Sequence, residues 1–247
     1  MSLFNSLKRL PETASKPIIK IVDNGNQRAS IKRIISAFVD SDTIIKIVSE
    51  DKNIGYGRGH NLAIRSSQHK YHLILNPDVI LDADSLSVGI QFLESNPDVC
   101  AVSPSCSDEK HNLQYLAKSY PTVFDLFLRG LAPSFVRKYF SERLCRYELK
   151  EVVENERETG VDIISGCFML CRTECLKQLG GFDERYFLYF EDFALSLELN
   201  KFGRLMYLPS MKIIHYGGKT AKKGLSHIGM FISSGIKFFN QYGWKVI

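Results

Sequence analysis

Four residues in this chain have the types and the setting to do chemistry together. Asp78 closes Leu75-Asn76-Pro77-Asp78, the pair Glu191-Asp192 follows an aromatic run, and His215 ends Ile213-Ile214-His215. Each stands where an apolar run stops, the pattern of a buried scaffold that delivers polar groups to one rim. A hard cation such as Mg2+ or Mn2+ takes carboxylate oxygen and imidazole ligands, so Asp78 and His215 would clamp a diphosphate through it. The same Asn-Pro-Asp is equally a plain turn in which Asp78 caps Val79–Asp82. Asp192 reads in two ways as well. It is either a first-turn acid favoured by the helix dipole, or a general base whose pKa is raised by the aromatic surface of Gly180–Phe190. His215 alone reads as a structural histidine, and its value comes from its company.

The loop Asn53-Ile54-Gly55-Tyr56-Gly57-Arg58-Gly59-His60-Asn61 lies between a strand pattern and a helix pattern. It lacks the lysine and hydroxyl of a P-loop, and its spacing is not the dinucleotide fingerprint. Glycines there still let backbone N–H groups approach an anion, and Arg58 offers a guanidinium to phosphate. The alternative is a tight solvent-facing turn. Asp23-Asn24-Gly25 is turn chemistry on its face, although a strand-end Asp23 could accept a hydrogen bond from a nucleobase.

The elements that must position these groups alternate. A helix over Ser2–Leu10, a strand in Lys16–Val22, a helix over Gln27–Val39 and a strand over Thr43–Val48 lead to the glycine loop. A helix through Ser67 and a strand over Tyr71–Leu75 follow. This spacing predicts parallel βαβ units. Beyond them come a helix over Ser85–Leu93, a strand over Val99–Ser103, and a variable excursion over 105–160. An apolar stretch, Val161–Cys171, is broken at Ser165-Gly166. A short helix from Thr173 stops at Gly180-Gly181. The last elements are a helix over Asp192–Lys201, strands Leu205–Leu208 and Lys212–His215, and an amphipathic helix over Leu225–Tyr242.

The 247 residues suit one α/β domain, with 45% apolar and 24% charged residues. No run approaches the ~18 apolar residues of a membrane span, and Met1–Leu10 has no signal-peptide core. These point to the cytoplasm. The six cysteines contain no C-x-x-C pair and read as buried reduced thiols. The net charge of +5 is dispersed except at Lys219, Lys222 and Lys223. No aromatic-basic stripe suggests a nucleic-acid partner.

Taken in order, Ile21-Val22-Asp23-Asn24-Gly25, the Asn53–Asn61 loop, Leu75-Asn76-Pro77-Asp78, Gly166-Cys167-Phe168-Met169-Leu170, Gly181-Phe182-Asp183-Glu184, Phe190-Glu191-Asp192 and Ile214-His215 closely resemble family 2 glycosyltransferases. The likeness is strongest to the rhamnosyltransferase-like members that assemble bacterial surface polysaccharide, and it covers residues 3–242. It implies a GT-A fold, Rossmann-like, with a mixed, mainly parallel sheet flanked by helices. It also implies an inverting transfer of a deoxyhexose such as rhamnose from a dTDP- or UDP-sugar to a lipid-linked saccharide acceptor, in O-antigen or capsule synthesis.

On that template Asp23 reads the base, and Asp78 and His215 hold the divalent metal. Asp192, beside Glu191, deprotonates the acceptor hydroxyl. The donor pocket comprises Asp23, Asn24, Asn53, Gly55, Gly57, Arg58, Asn61, Asn76 and Gly166, with Gly166 facing the acceptor side. Within a single domain over 1–247, residues 1–104 bind the nucleotide and 161–224 carry the acceptor and catalytic part. The stretch 225–247 is the C-terminal helix, which either packs on its own domain or docks on the inner face of the membrane.

Two departures bear on this. Asn76-Pro77-Asp78 stands where many members carry D-x-D, an amide for one carboxylate. The strand with which members begin is missing before Ser2–Leu10, so Met1 is expected to be a misassigned start or a truncation point and the chain impaired. Two rival readings stay open: an impaired nucleotide-sugar-binding or interaction module, and a nucleotidyltransferase.

Overall fold

The computed structural model describes residues 3–9, 17–38, 45–217 and 224–247. Helix α1 (Leu3–Lys8) is followed by strand β1 (Ile19–Asp23), helix α2 (Arg28–Phe38), strand β2 (Ile45–Ser49), helix α3 (Tyr56–Arg65) and strands β3 (Tyr71–Leu75) and β4 (Val79–Leu81). Then come α4 (Ser85–Ser95), β5 (Val99–Ser107), β6 (Leu113–Gln114), β7 (Ala117–Lys118), and the short helices α5 (Val123–Gly130), α6 (Ser134–Tyr139), α7 (Ser141–Tyr147) and α8 (Lys150–Glu154). The chain returns through β8 (Thr159–Gly160), β9 (Ile163–Ile164), β10 (Phe168–Arg172), α9 (Thr173–Leu179), α10 (Glu191–Leu199), β11 (Arg204–His215) and α11 (Gly224–Tyr242).

The β-branched strands β1 and β2 pair in parallel, from Ile19 opposite Ile45 to Asp23 opposite Ser49. The larger sheet runs β3-β10-β5-β11-β4, with β6 on β5 and β8 on β11. Helices flank strands as expected for the α/β class, but the sheet is not mainly parallel. In the larger sheet only β5–β11 is parallel, and its other pairs are antiparallel. The excursion explains the correction. After leaving β5 the chain crosses to the far end, so β10 enters antiparallel between β3 and β5. Among the described residues no ladder links the β1–β2 pair to the larger sheet.

Other boundaries also differ from the sequence reading. Leu205–Leu208 and Lys212–His215 are one strand whose register on β5 shifts between Leu208 and Lys212, because Pro209 lacks the N–H to continue the ladder. The excursion over 105–160 contains β6, β7, β8 and four helices. Strand β4 is three residues, all buried, too short to show a period. Lys16, Val39, Thr43, Lys219, Lys222, Lys223 and the chain start at Met1 lie outside the described residues.

Apolar faces of the sheet and of α3, α4, α9 and α10 form the two larger cores. A third gathers Tyr186, Phe190, Ala194, Phe238 and Phe239, seating α11 against the aromatic loop before α10. Helix α9 ends as the glycine pair requires. Gly180 and Gly181 take φ of +78° and +85°, and the Gly181 N–H returns to the Leu176 carbonyl at 2.8 Å. All six cysteines are free, and five are buried.

Candidate active site

The strand ends converge as the sequence pattern implies. Asp78 follows β3, and its Oδ1 lies 3.4 Å from Nε2 of His215 at the end of β11. Gln114 on β6 fixes the ring. Its Nε2 donates to the His215 carbonyl at 2.9 Å, so its Oε1 faces the His215 Nδ1 at 3.1 Å and must accept from it. In the neutral imidazole that leaves the proton on Nδ1 and a lone pair on Nε2. Asp78 Oδ1 is buried and has no hydrogen-bond partner. Two acceptors therefore face each other, an arrangement that a cation between them would satisfy. Gly217 keeps that space clear, since a Cβ there would overlap the imidazole and come within 2.9 Å of Asp78 Oδ2.

The acid pair opens α10. Tyr189 and Phe190 just before it both have positive φ, 68° and 63°, a conformation costly for bulky residues and held here by the aromatic core around Phe190. Asp192 Oδ2 accepts from the Gly166 N–H at 3.0 Å, and Oδ1 from the Phe193 N–H at 3.0 Å. Glu191 is buried and its Oε2 has no partner. Burial raises the pKa of both acids, and the charge of Asp192 raises Glu191 further, whereas the Gly166 N–H and Lys118 pull Asp192 back. Both carboxyls are thus held above the ordinary carboxylate range, Glu191 at about 8, and Asp192 has the opposing pull of the Gly166 N–H and Lys118.

Tyr56 joins the two halves. Its hydroxyl lies 2.6 Å from the Gly166 carbonyl and 3.1 Å from the Asn76 side-chain oxygen. Burial, and then Asp192, hold this phenol well above its ordinary range, so it remains a donor. Sequence reasoning missed Tyr56, whose signal was an aromatic placed between two glycines. It also missed Gln114, which carries no sequence signal, and Lys118, a lysine directly after Leu116-Ala117. Lys118 is buried, donates to the Tyr115 carbonyl at 2.8 Å, and is pushed down to about 7 by burial and then by Arg129.

Asp23 ends β1 with Oδ1 taken by the N–H groups of Gly25 and Gln27, while among the described residues Oδ2 is buried without a partner. The Asn24 amide bonds Asn53 Oδ1 at 3.1 Å and the Gly55 carbonyl at 2.9 Å, tying β1 to the glycine loop. Gly55 has φ of +95°, and a Cβ there would come within 2.6 Å of the Phe187 carbonyl oxygen. Gly57 is pressed on Phe182. Arg58 and Asn61 are turned elsewhere. The Arg58 Nε donates to the Glu184 carbonyl at 3.0 Å. Buried Asn61 clasps Phe182, accepting from its N–H at 2.8 Å and donating to its carbonyl at 2.9 Å. Both positions organise the Phe182–Glu184 turn, and the spacing alone could not tell a ligand contact from a turn clasp. Asn61→Ala is expected to cost about 1–3 kcal/mol by leaving that buried N–H unpaired, read as a lower urea midpoint.

The model of Glycosyl transferase family 2 matches residues 2–180. The chain belongs to this family. Among its family 2 relatives, the Escherichia coli K12 rhamnosyltransferase WbbL is 30% identical over 171 residues, 66% of this chain and 61% of WbbL, so the chain spans less than two thirds of that protein. The N-acetylglucosaminyl-diphospho-decaprenol L-rhamnosyltransferase of Mycobacterium tuberculosis H37Rv is 25% identical over 259 aligned positions, covering 96% of this chain and 80% of that protein. The fold is that of GT-A enzymes. The mannosyltransferase PcManGT from Pyrobaculum calidifontis, solved with GDP-Man and Mn2+, superposes with a TM-score of 0.60 at 16% identity, covering 88% of this chain and 53% of that one.

Proposed function

We propose that this family 2 chain is an inverting glycosyltransferase. It moves a sugar, a deoxyhexose such as rhamnose, from a dTDP- or UDP-sugar to a lipid-linked saccharide acceptor in bacterial surface polysaccharide assembly. One observation carries the reading: Asp192, held by the Gly166 N–H, sits across the Tyr56–Asn76 bridge from the Asp78–His215 pair. A single displacement needs those two ends, a base for the incoming hydroxyl and charge stabilisation for the leaving diphosphate. The names of the relatives support the sugar and the lipid carrier.

Asp78 and His215 would hold the divalent metal. The orphaned Asp78 Oδ1, the Nε2 lone pair and the space over Gly217 suit a hard cation. When bound, Mg2+ or Mn2+ supplies positive charge to the diphosphate. Among the described residues no group of three or more His, Cys, Asp and Glu could hold a metal, and Asp78 and His215 would be this chain's two ligands. The chain's own residues do the rest. Asp192 takes the hydroxyl proton, Asp23 Oδ2 receives a base N–H, and the Asn24–Asn53 clasp with Gly55 holds the loop beside the donor. Residues 1–104 act as the nucleotide part and 161–224 as the acceptor part of one domain.

No described helix is long and apolar enough to cross a membrane. Helix α11 packs Phe238 and Phe239 inward while Ile228, Ile232 and Ile236 stay exposed, which supports a peripheral contact with the inner membrane face. With dTDP-rhamnose, the expected result is EDTA-sensitive release of nucleoside diphosphate. Conversion of dTDP-rhamnose and added inorganic diphosphate to dTTP and rhamnose 1-phosphate would point to a nucleotidyltransferase and sink the reading. A binding module without turnover is favoured by one observation: among the described residues, no ladder joins the β1–β2 pair carrying Asp23 to the larger sheet. Donor binding with no hydrolysis or transfer would establish it.

A further inference from the structure

The helical excursion carries a charged cleft that the reaction above does not use. Helices α5 to α8 enclose about 370 Å3 lined by Arg129, Ser134, Arg137, Lys138, Glu148 and Lys150, among others. This volume falls within the range of small-molecule sites. Glu148 is the one carboxylate in the lining, and it already serves two of the four cations, Arg129 and Lys150, each at 3.3 Å. Arg137 and Lys138 are exposed, and neither forms an ion pair among the described residues. The walls are fixed by a capping box at Thr122 and Asp125, with the Arg143 Nε 2.6 Å from the Asp125 carboxylate.

Large apolar side chains next to the cleft residues in the chain are open to water. Leu131, Phe135 and Tyr139 are 66%, 74% and 83% exposed, and their four-residue spacing sets Phe135 and Tyr139 on one face of α6. The C-terminal segment lies alongside α5, with Lys245 and Val246 carbonyls accepting from Val123 and Phe124 N–H groups, and adds exposed Trp244, Val246 and Ile247. Cations set behind exposed aromatic and aliphatic tips match an anionic group at an apolar surface.

The cleft also lies on the acceptor side. Lys150 sits over the Tyr115 ring at 5.1 Å, the Tyr115 carbonyl receives the Lys118 amine, and Lys118 senses both Arg129 and Asp192. The Ser119 N–H bonds the Tyr147 carbonyl at 3.0 Å, locking the cleft floor to β7.

We infer that this cleft binds the diphosphate of a prenyl-diphosphate-linked acceptor, with Leu131, Phe135 and Tyr139 entering the bilayer beside it. The inference rests on the reading of a lipid-linked acceptor and names the group that holds it. The test uses the full chain and phosphatidylcholine vesicles with or without undecaprenyl diphosphate, with phosphatidylglycerol vesicles as a plain anionic surface. Doped vesicles should bind, and both other kinds should bind far less. Arg137→Gln with Lys138→Gln should weaken binding to doped vesicles at least about tenfold. Phe135→Ser with Tyr139→Ser should weaken vesicle binding while leaving inhibition by farnesyl diphosphate in solution. Equal binding to phosphatidylglycerol vesicles, or unchanged binding by the Arg137/Lys138 variant, overturns the inference. Acceptor-free hydrolysis of dTDP-rhamnose by the same proteins separates the two questions. Hydrolysis retained in the variants shows an intact fold, and its absence from the unmodified chain counts against the glycosyltransferase reading itself.

Discussion

Asp192→Asn is expected to lower sugar transfer by about 10²–10⁴-fold at a stability cost of about 1–3 kcal/mol. The amide keeps one oxygen to accept the Gly166 N–H, now at 3.0 Å from Oδ2, but its NH2 then faces the Phe193 N–H that Oδ1 accepts. What it loses is the capacity to take a proton. Glu191→Gln is the discriminating partner. Burial and then the charge of Asp192 push Glu191 up to about 8, and a glutamine resembles a protonated glutamate, so that variant should lose no more than about tenfold. The sign of the pH dependence follows from the raised pKa of Asp192. The base is competent above its pKa, and activity falls as pH drops through it, earlier than for an ordinary carboxylate. Single-turnover rates across pH would show this, and an Asp192→Asn enzyme that transfers at the unmodified rate would refute the assignment.

Much of this site was legible because its residues end apolar runs. Asp23, Asp78, His215 and the Gly166 break all sit where a strand stops, and period and burial alone place such residues on a rim. The α/β class followed from alternation for the same reason. Strand direction did not, because β10 joins the sheet after a long excursion, and no local pattern records from which end a strand enters. The helices α5–α8 were obscured by their own surface. Amphipathicity reads poorly when Leu131, Phe135 and Tyr139 face outward, since apolar residues then mark both faces. Arg58 and Asn61 show the limit for polar residues. A glycine-rich loop brings them near a ligand site, but whether they serve the ligand or the Phe182–Glu184 turn depends on a segment more than a hundred residues away. Tyr56 was hidden likewise, its partners being Asn76 and Gly166.

Gly217→Ala is expected to weaken Mn2+ binding by about 10–100-fold, the range seen when groups around a metal site are disturbed. The added methyl would occupy the space bounded by His215 Nε2 and Asp78 Oδ2. It changes neither proposed ligand, so a loss would report on the space itself. Gln114→Leu attacks the same site from behind. Without the Oε1 that accepts from Nδ1, the imidazole is free to place its proton on Nε2, which then faces Asp78 as a donor and closes the pair on itself at the expense of the cation. Mn2+ titration followed by electron paramagnetic resonance measures both variants directly, without donor or acceptor. The two losses should differ in origin: Gly217→Ala by exclusion from the space, Gln114→Leu by the cost of returning the imidazole proton from Nε2 to Nδ1. If Gly217→Ala binds Mn2+ as the unmodified chain does, the metal does not sit between Asp78 and His215, and their 3.4 Å approach is an ordinary histidine–carboxylate contact.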